Sequence, residues 1–230
     1  MKEIPFELGA VLVVDKPLNW TSFDVVKKIR YVICKKYNLK KIKVGHAGTL
    51  DPLASGVVVV CTGKKTKIID QFINESKEYT GEIRLGSTTP SFDLETEIDK
   101  EFPIPALDDN ILKKISNNFT GEILQVPPIF SAKRINGKRA YQYARNNEEI
   151  VLKPNSVTIH SLQLKAIDKN TLRFNCHCSK GTYIRSLARD IGLFLDSGGH
   201  LISLKRIKSG NFSLEMAKSI DEWIDIIKAS

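Results

Sequence analysis

From Ala10 the chain reads AVLVVDKP, an apolar run closed by a proline, and this predicts a strand that stops before Pro17. Thr21 or Ser22 has the chemistry of a helix cap. The helix is expected to reach about Tyr37, with Phe23, Val26, Ile29 and Ile33 along its buried side and its lysines facing water or a ligand. VVVVCT at 57–62 reads as a buried strand, and KTKIIDQFI as a short helix. KEYTGEIRLG places Tyr79, Gly81, Ile83 and Leu85 at every second position, a strand pattern. SFDLETEIDKEFPIP is a polar connection, and Leu107, Ile111, Leu112, Ile115 and Phe119 mark an amphipathic helix.

The second half continues with a short strand at GEILQ, broken by Pro127 and Pro128. A long basic segment follows, with a turn expected at Asn136-Gly137. Strands return near 153–167 and 171–179. GTYIRSLARDIGLFLDSG predicts a helix that buries Tyr183, Leu187, Ile191 and Leu195 and puts Arg185 and Arg189 on another face. A strand at HLISLKRIKSG and a helix through Trp223 and Ile227 complete the chain. Strands and helices mix without regular alternation, so the class is α+β. There is no internal repeat, low-complexity tract or linker, so residues 1–230 are expected to form a single domain.

Charge changes the picture. Thirty-five Lys and Arg against 26 Asp and Glu give a net charge of +9. The excess is clustered: eight basic residues and no acid lie between Lys27 and Lys43, and five more between Lys133 and Arg145 with Tyr141 and Tyr143 among them. KKTK (64–67) and KRIK (205–208) add smaller groups. Clustered cations with interleaved aromatics point to a nucleic-acid partner. The four cysteines fit no zinc spacing. Cys176 and Cys178, in register with Leu172 and Phe174, read as small core residues. No apolar run has the length of a membrane span and no signal peptide is apparent, which favours a cytoplasmic protein.

One acid stands out. GHAGTLDPLASG (45–56) holds Asp51 in a glycine-rich loop, and no other acid occurs from Val25 to Leu50. No Walker glycine pattern, serine–histidine–acid order or metal-ligand spacing is present. By itself Asp51-Pro52 is a turn starter.

Six blocks together resemble the TruB family of tRNA pseudouridine synthases: DKPLNWTSFDVV (15–26), GHAGTLDPLASGVVVVCTGKKTK, KEYTGEIRLGSTT, VPPIFSAKRINGKRAYQYAR, CSKGTYIRSLARDIG and LKRIKSGNF. They occur in the family's order. The resemblance implies a central, mixed, largely antiparallel sheet flanked by helices, with a basic insertion at about 126–150 that clamps the T-arm. It implies conversion of uridine to pseudouridine at position 55 of the tRNA T-loop, without cofactor or metal. Asp51 would be the catalytic carboxylate, Arg185 its cation, and Tyr79 the ring that stacks on the base with its hydroxyl near C5. His46 would fill the space left by the extruded nucleotide. Lys16 and Pro17 would shape the pocket wall, and Leu204 would pack on the base. Gly48 would let backbone approach the RNA, and Lys133, Lys138 and Arg139 would hold phosphates.

The same resemblance shows departures. The family often adds a C-terminal PUA domain, which this chain is expected to lack, so that binding leans on the clamp and on the helix at 22–37. STTPSFDLE has Thr89 and Pro90 where the family commonly has Asp-Thr. Two alternatives stand beside the leading reading: a guide-dependent RNA pseudouridine synthase, and a non-catalytic RNA-binding or RNA-folding module. A monomer without an obligate protein partner is expected.

Overall fold

The computed structural model describes residues 4–131, 133–135, 137–146, 148 and 150–230. In chain order the elements are β1 (Val11–Lys16), α1 (Ser22–Lys36), β2 (Val44–His46), β3 (Ala54–Thr62), a 3-10 turn at Gly63–Ile68 leading into α2 (Ile69–Asn74), and β4 (Lys77–Leu85). Next come β5 (Ser87–Thr88), β6 (Lys100–Glu101), α3 (Asp109–Phe119), β7 (Gly121–Gln125), β8 (Arg134–Ile135), β9 (Lys138–Arg139) and α4 (Ala140–Arg145). The chain ends with β10 (Asn155–Ala166), β11 (Thr171–Cys178), α5 (Ile184–Phe194), β12 (Gly199–Ser209), β13 (Phe212–Ser213) and α6 (Ile220–Ala229). Residues up to Tyr79 together with Leu204–Ser230 form one compact unit, and Thr80–Ser203 form a second.

In the first unit β3 is the organising strand. It pairs antiparallel with β1 (Val13 opposite Val59) and with β2 (His46 opposite Val60), and parallel with β12 (Leu204 opposite Ala54, Arg206 opposite Gly56). Val57 to Cys61 are fully buried. Val57 and Val59 join Val13 and Ala47 in one cluster, against which Ile69, Phe72, Ile73 and Phe212 pack. Val58 and Val60, offset by one residue, point to the opposite side of the sheet. Full burial of such side chains stabilises the unit by roughly 1.5–3 kcal/mol each. Thr21 caps α1 in a capping box with Asp24, as its sequence suggests.

The buried face of α1 is Ser22, Val25, Val26, Ile29, Val32 and Ile33, whereas Phe23 is 60% exposed, contrary to expectation. The reason is that Ser22 takes the inward position and satisfies its hydroxyl on the backbone of Leu50.

In the second unit β10 pairs antiparallel with β11 and with β7, with an irregularity between Ile159 and Ser161. β4 lies next to β11, with its odd-numbered residues buried as the alternation predicts. Leu172, Phe174, Cys176 and Cys178 are buried together. The Cys176 thiol is pushed upward in pKa by its hydrogen bond with Cys178 and by burial, so it is an inert core group.

The polar connection contains the short β5–β6 pair. The basic segment is a β8–β9 hairpin followed by α4 rather than a structureless loop. Gly137 adopts φ +83° between the two strands, while Asn136 lies outside the described residues. No helix among the described residues is long and apolar enough to cross a membrane.

Candidate active site

The loop carrying Asp51 connects β2 to β3, and it is fixed through its main chain. Ser22, on the first turn of α1, accepts the Leu50 amide at 2.8 Å and donates to the Leu50 carbonyl at 3.1 Å through one hydroxyl. Asn19, at φ +64°, donates its own amide to the Pro52 carbonyl at 2.8 Å. Ala54 donates to the Asp51 carbonyl at 3.1 Å and closes the Asp-Pro turn.

Arg206 completes the clamp. It is buried, and it donates Nε to Val57 O at 2.7 Å, Nη2 to Gly48 O at 3.2 Å and Nη1 to Thr49 O at 3.3 Å. The parallel register puts Arg206 opposite Gly56, and the approach is so close that a Cβ at 56 would lie 2.2 Å from Arg206 O. Gly56 therefore has to be glycine. Gly48 adopts φ +103°, and a Cβ there would meet Arg206 Nη1 at 3.8 Å, so backbone conformation rather than crowding favours glycine.

Lys16 ends β1 with its side chain buried. Its ammonium donates to Pro17 O at 2.9 Å and Trp20 O at 2.6 Å. Burial lowers its pKa from 10.5 to about 8, against an opposing pull from the Asp51 carboxylate; the neighbouring Arg206 lowers it further. Lys16, Asp51 and Arg206 thus form one electrostatic group. His46 is half-buried, and burial pushes its pKa down, with Gly48 backbone opposing and Arg206 adding to the shift. A neutral imidazole beside a glycine-rich loop suits a space-filling role better than a charged one. Pro17 is exposed, and Leu204 is half-buried opposite Ala54, two residues before Arg206. Tyr79 is buried in β4. Its strand is anchored at its start by Lys77, whose ammonium caps the carbonyls of Ile73 and Glu75 at 2.6 Å each.

Arg185 lies in the second unit, one residue into α5. The helical pattern puts it on a face other than that of Tyr183 and Leu187; it is 4% exposed, while Tyr183 and Leu195, expected to be buried, are only half-buried. Its Nη1 donates to Phe130 O at 2.8 Å and Ser91 O at 3.3 Å, and its Nε is 3.6 Å from Asp93 Oδ2. Neighbouring groups on α5 hold the same strand exit: Tyr183 N donates to Gln125 Oε1 at 2.8 Å and Ser186 Oγ to Val126 O at 2.8 Å. The 89–93 loop closes on itself through Thr89 Oγ1 and the Asp93 carbonyl at 2.7 Å. Lys133 donates to Asn155 Oδ1 at 3.0 Å, and the Lys138 ammonium stands 5.6 Å from the Tyr143 ring centre. The side chain of Arg139 lies outside the described residues.

Within the first unit the structure therefore gathers Lys16, His46, Gly48 and Asp51. It adds Ser22, Asn19 and Arg206, which pattern reading passed over. Their signals in the sequence are thin: a serine at a cap, an asparagine in a turn and one member of a basic cluster. Asp93, buried against Arg185, was also passed over. Among the described residues no group of three His, Cys, Asp or Glu stands where it would hold a metal ion.

Comparison with known proteins places nearly the whole sequence in one family. A family model described as "TruB family pseudouridylate synthase (N terminal domain)" matches residues 35–184, and one described as "tRNA pseudouridylate synthase B C-terminal domain" matches 185–228. The tRNA pseudouridine synthase B of Parabacteroides distasonis is 50% identical over 223 residues, covering 97% of this chain and 95% of its own length. That of Chlorobaculum tepidum is 43% identical over 222 residues, covering 96% and 92%. Among solved structures, a chain of a Cbf5-Nop10-Gar1 complex superposes with a TM-score of 0.71 at 28% identity. The match covers 96% of this chain but 54% of that one, so this chain spans about half its length. On the two family models and on relatives at half identity over nearly the whole sequence, this chain belongs to the TruB family of pseudouridylate synthases.

Proposed function

We propose that this protein isomerises uridine to pseudouridine in tRNA, at position 55 of the T-loop, with Asp51 as the catalytic carboxylate. The observation that carries the reading is the β2–β3 loop. A buried serine and a buried arginine fix the main chain on both sides of one acid, and a buried lysine stands in its field. Such fixing places a reacting group in advance of substrate binding.

The reaction breaks the N1–C1′ bond, turns the base and joins C5 to C1′. The C5 proton leaves to solvent and N1 gains one, so atoms balance and no electrons are exchanged. A single carboxylate suffices to open this route by bonding to the sugar or base or by taking a sugar proton. By resemblance, Arg185 is its counter-cation and Tyr79 the stacking ring. His46 fills the place of the extruded nucleotide, Lys16, Pro17 and Leu204 line the wall, and Gly48 admits the RNA backbone. A uridine in a folded loop must leave its stack to be reached. Lys133, Lys138 and Arg139 track phosphates, which makes binding salt-dependent.

Relatives named tRNA pseudouridine synthase B, 50% identical over nearly the whole chain, favour tRNA as the substrate. The enzyme acts in the cytoplasm, the compartment that holds its substrate, as a monomer. The test is an unmodified tRNA transcript carrying tritium at uridine C5. Release of tritium to water from this transcript, and none from one with cytidine at position 55, is the expected result. Equal release from both would remove the positional assignment, and none from either would remove the activity.

A further inference from the structure

The outward face of α1 carries a groove of about 380 Å³ lined by Asn19, Trp20, Asp24, Lys27, Lys28 and Tyr31. We propose that this groove binds a second, unpaired nucleobase of the RNA strand between Trp20 and Tyr31, with its phosphate against Lys27 and Lys28. The proposal rests on the reading of the protein as an RNA enzyme and adds a contact outside the reacting centre.

Residues 24, 27, 28 and 31 follow the spacing of one helical face, opposite the buried Val25, Ile29 and Ile33. Tyr31 is 60% exposed and lines the groove beside Trp20, so its ring is accessible to a stacking partner. Lys27 and Lys28 supply cations. The one acid of the groove, Asp24, is held by the Thr21 amide at 3.0 Å and hydroxyl at 2.6 Å, and its single negative charge is outnumbered by Lys27 and Lys28. Aromatic faces next to lysines are what single-stranded nucleic acid requires: stacking for the base, charge for the backbone. The lip of the groove is tied to the Asp51 loop, because Asn19 bonds Pro52 and Ser22 bonds Leu50. A strand whose uridine is offered to that loop therefore passes close to this face.

The chain has two tryptophans, Trp20 and Trp223. Trp223→Phe leaves Trp20 as the sole indole reporter and removes one bond to Val13 O. Titrating this variant with tRNA transcript is expected to quench Trp20 emission, whereas heparin, a polyanion without bases, is expected to leave it nearly unchanged. Tyr31→Ala, at an exposed position that folding does not need, is expected to weaken transcript binding roughly 5- to 150-fold at fixed salt. Tight transcript binding with unaltered emission overturns the proposal, as does equal quenching by heparin or a change in emission with protein concentration alone, which would mark a protein interface. Normal tritium release with no quenching removes this site and leaves the activity. Absence of transcript binding removes both.

Discussion

In the first unit, Ser22, Asn19 and Arg206 all bond to main-chain atoms of residues 48–52, and the side chain they place is that of Asp51. In the second unit the arrangement is reversed. There the side chain of interest, Arg185, is itself the clamp, and it bonds the carbonyls of Ser91 and Phe130 while facing Asp93. The contrast separates two kinds of importance. A residue that is positioned can be changed with little effect on folding, whereas one that does the positioning cannot. Asp51 and Arg185 are both expected to matter for turnover, but only Arg185 is expected to matter strongly for stability.

Arg185→Met is the harshest test of that difference. It leaves Asp93 buried without its cation and two loop carbonyls without their donor, and is expected to cost about 3–5 kcal/mol in urea unfolding. A loss below about 1 kcal/mol would mean that the guanidinium is not what holds those loops.

Lys16 gives a smaller effect with a sign. Its pKa in the folded protein, about 8, lies below the 10.5 of an exposed lysine because it is buried. Between those values the unfolded chain keeps a proton that the folded chain has released, so stability rises with pH across that window and the gain is absent below it. The rise is at most about 3–4 kcal/mol. Lys16→Met is expected to flatten the pH–stability curve from 8 to 10.5, and an unchanged curve would contradict the buried ammonium.

Ser22→Ala removes both bonds to Leu50 and is expected to cost about 1–3 kcal/mol. Because it acts through the position of Asp51, kcat should fall more than KM rises. A variant with normal kcat would show that the hydroxyl does not set the loop. Smallest of all is the stability change expected for Asp51→Asn, within about 1 kcal/mol, since the bonds from Ser22, Asn19 and Arg206 go to the loop's backbone and the volume is kept.

The sequence already showed most elements in outline, because period-two and helical patterns survive wherever a face is simply buried: β3, β4, α1, α3 and α6 are of this kind. It misled where polar groups go inside. Phe23 looked like core and Ser22 like a possible cap, but Thr21 is the cap, Phe23 is exposed and Ser22 is buried, where its hydroxyl makes two hydrogen bonds to backbone. The helical pattern alone left the burial of Arg185 open, because its acceptors lie 55 and 94 residues away. Arg206 belongs to this class as well, with acceptors 149 to 158 residues distant. The insertion differs again, since two-residue strands such as β8 and β9 are too short to leave a periodic trace. Asp51, by contrast, was legible through the resemblance of the blocks around it, its local pattern being that of an ordinary turn.

The most direct measurement is single-turnover tritium release from a C5-labelled tRNA transcript, run side by side with Asp51→Asn and the unchanged protein at matched, saturating enzyme. The account predicts full binding of the transcript by the variant with release slowed by about 10⁴-fold or more, as for loss of an essential nucleophile or base. Release by Asp51→Asn within tenfold of the unchanged protein would contradict it.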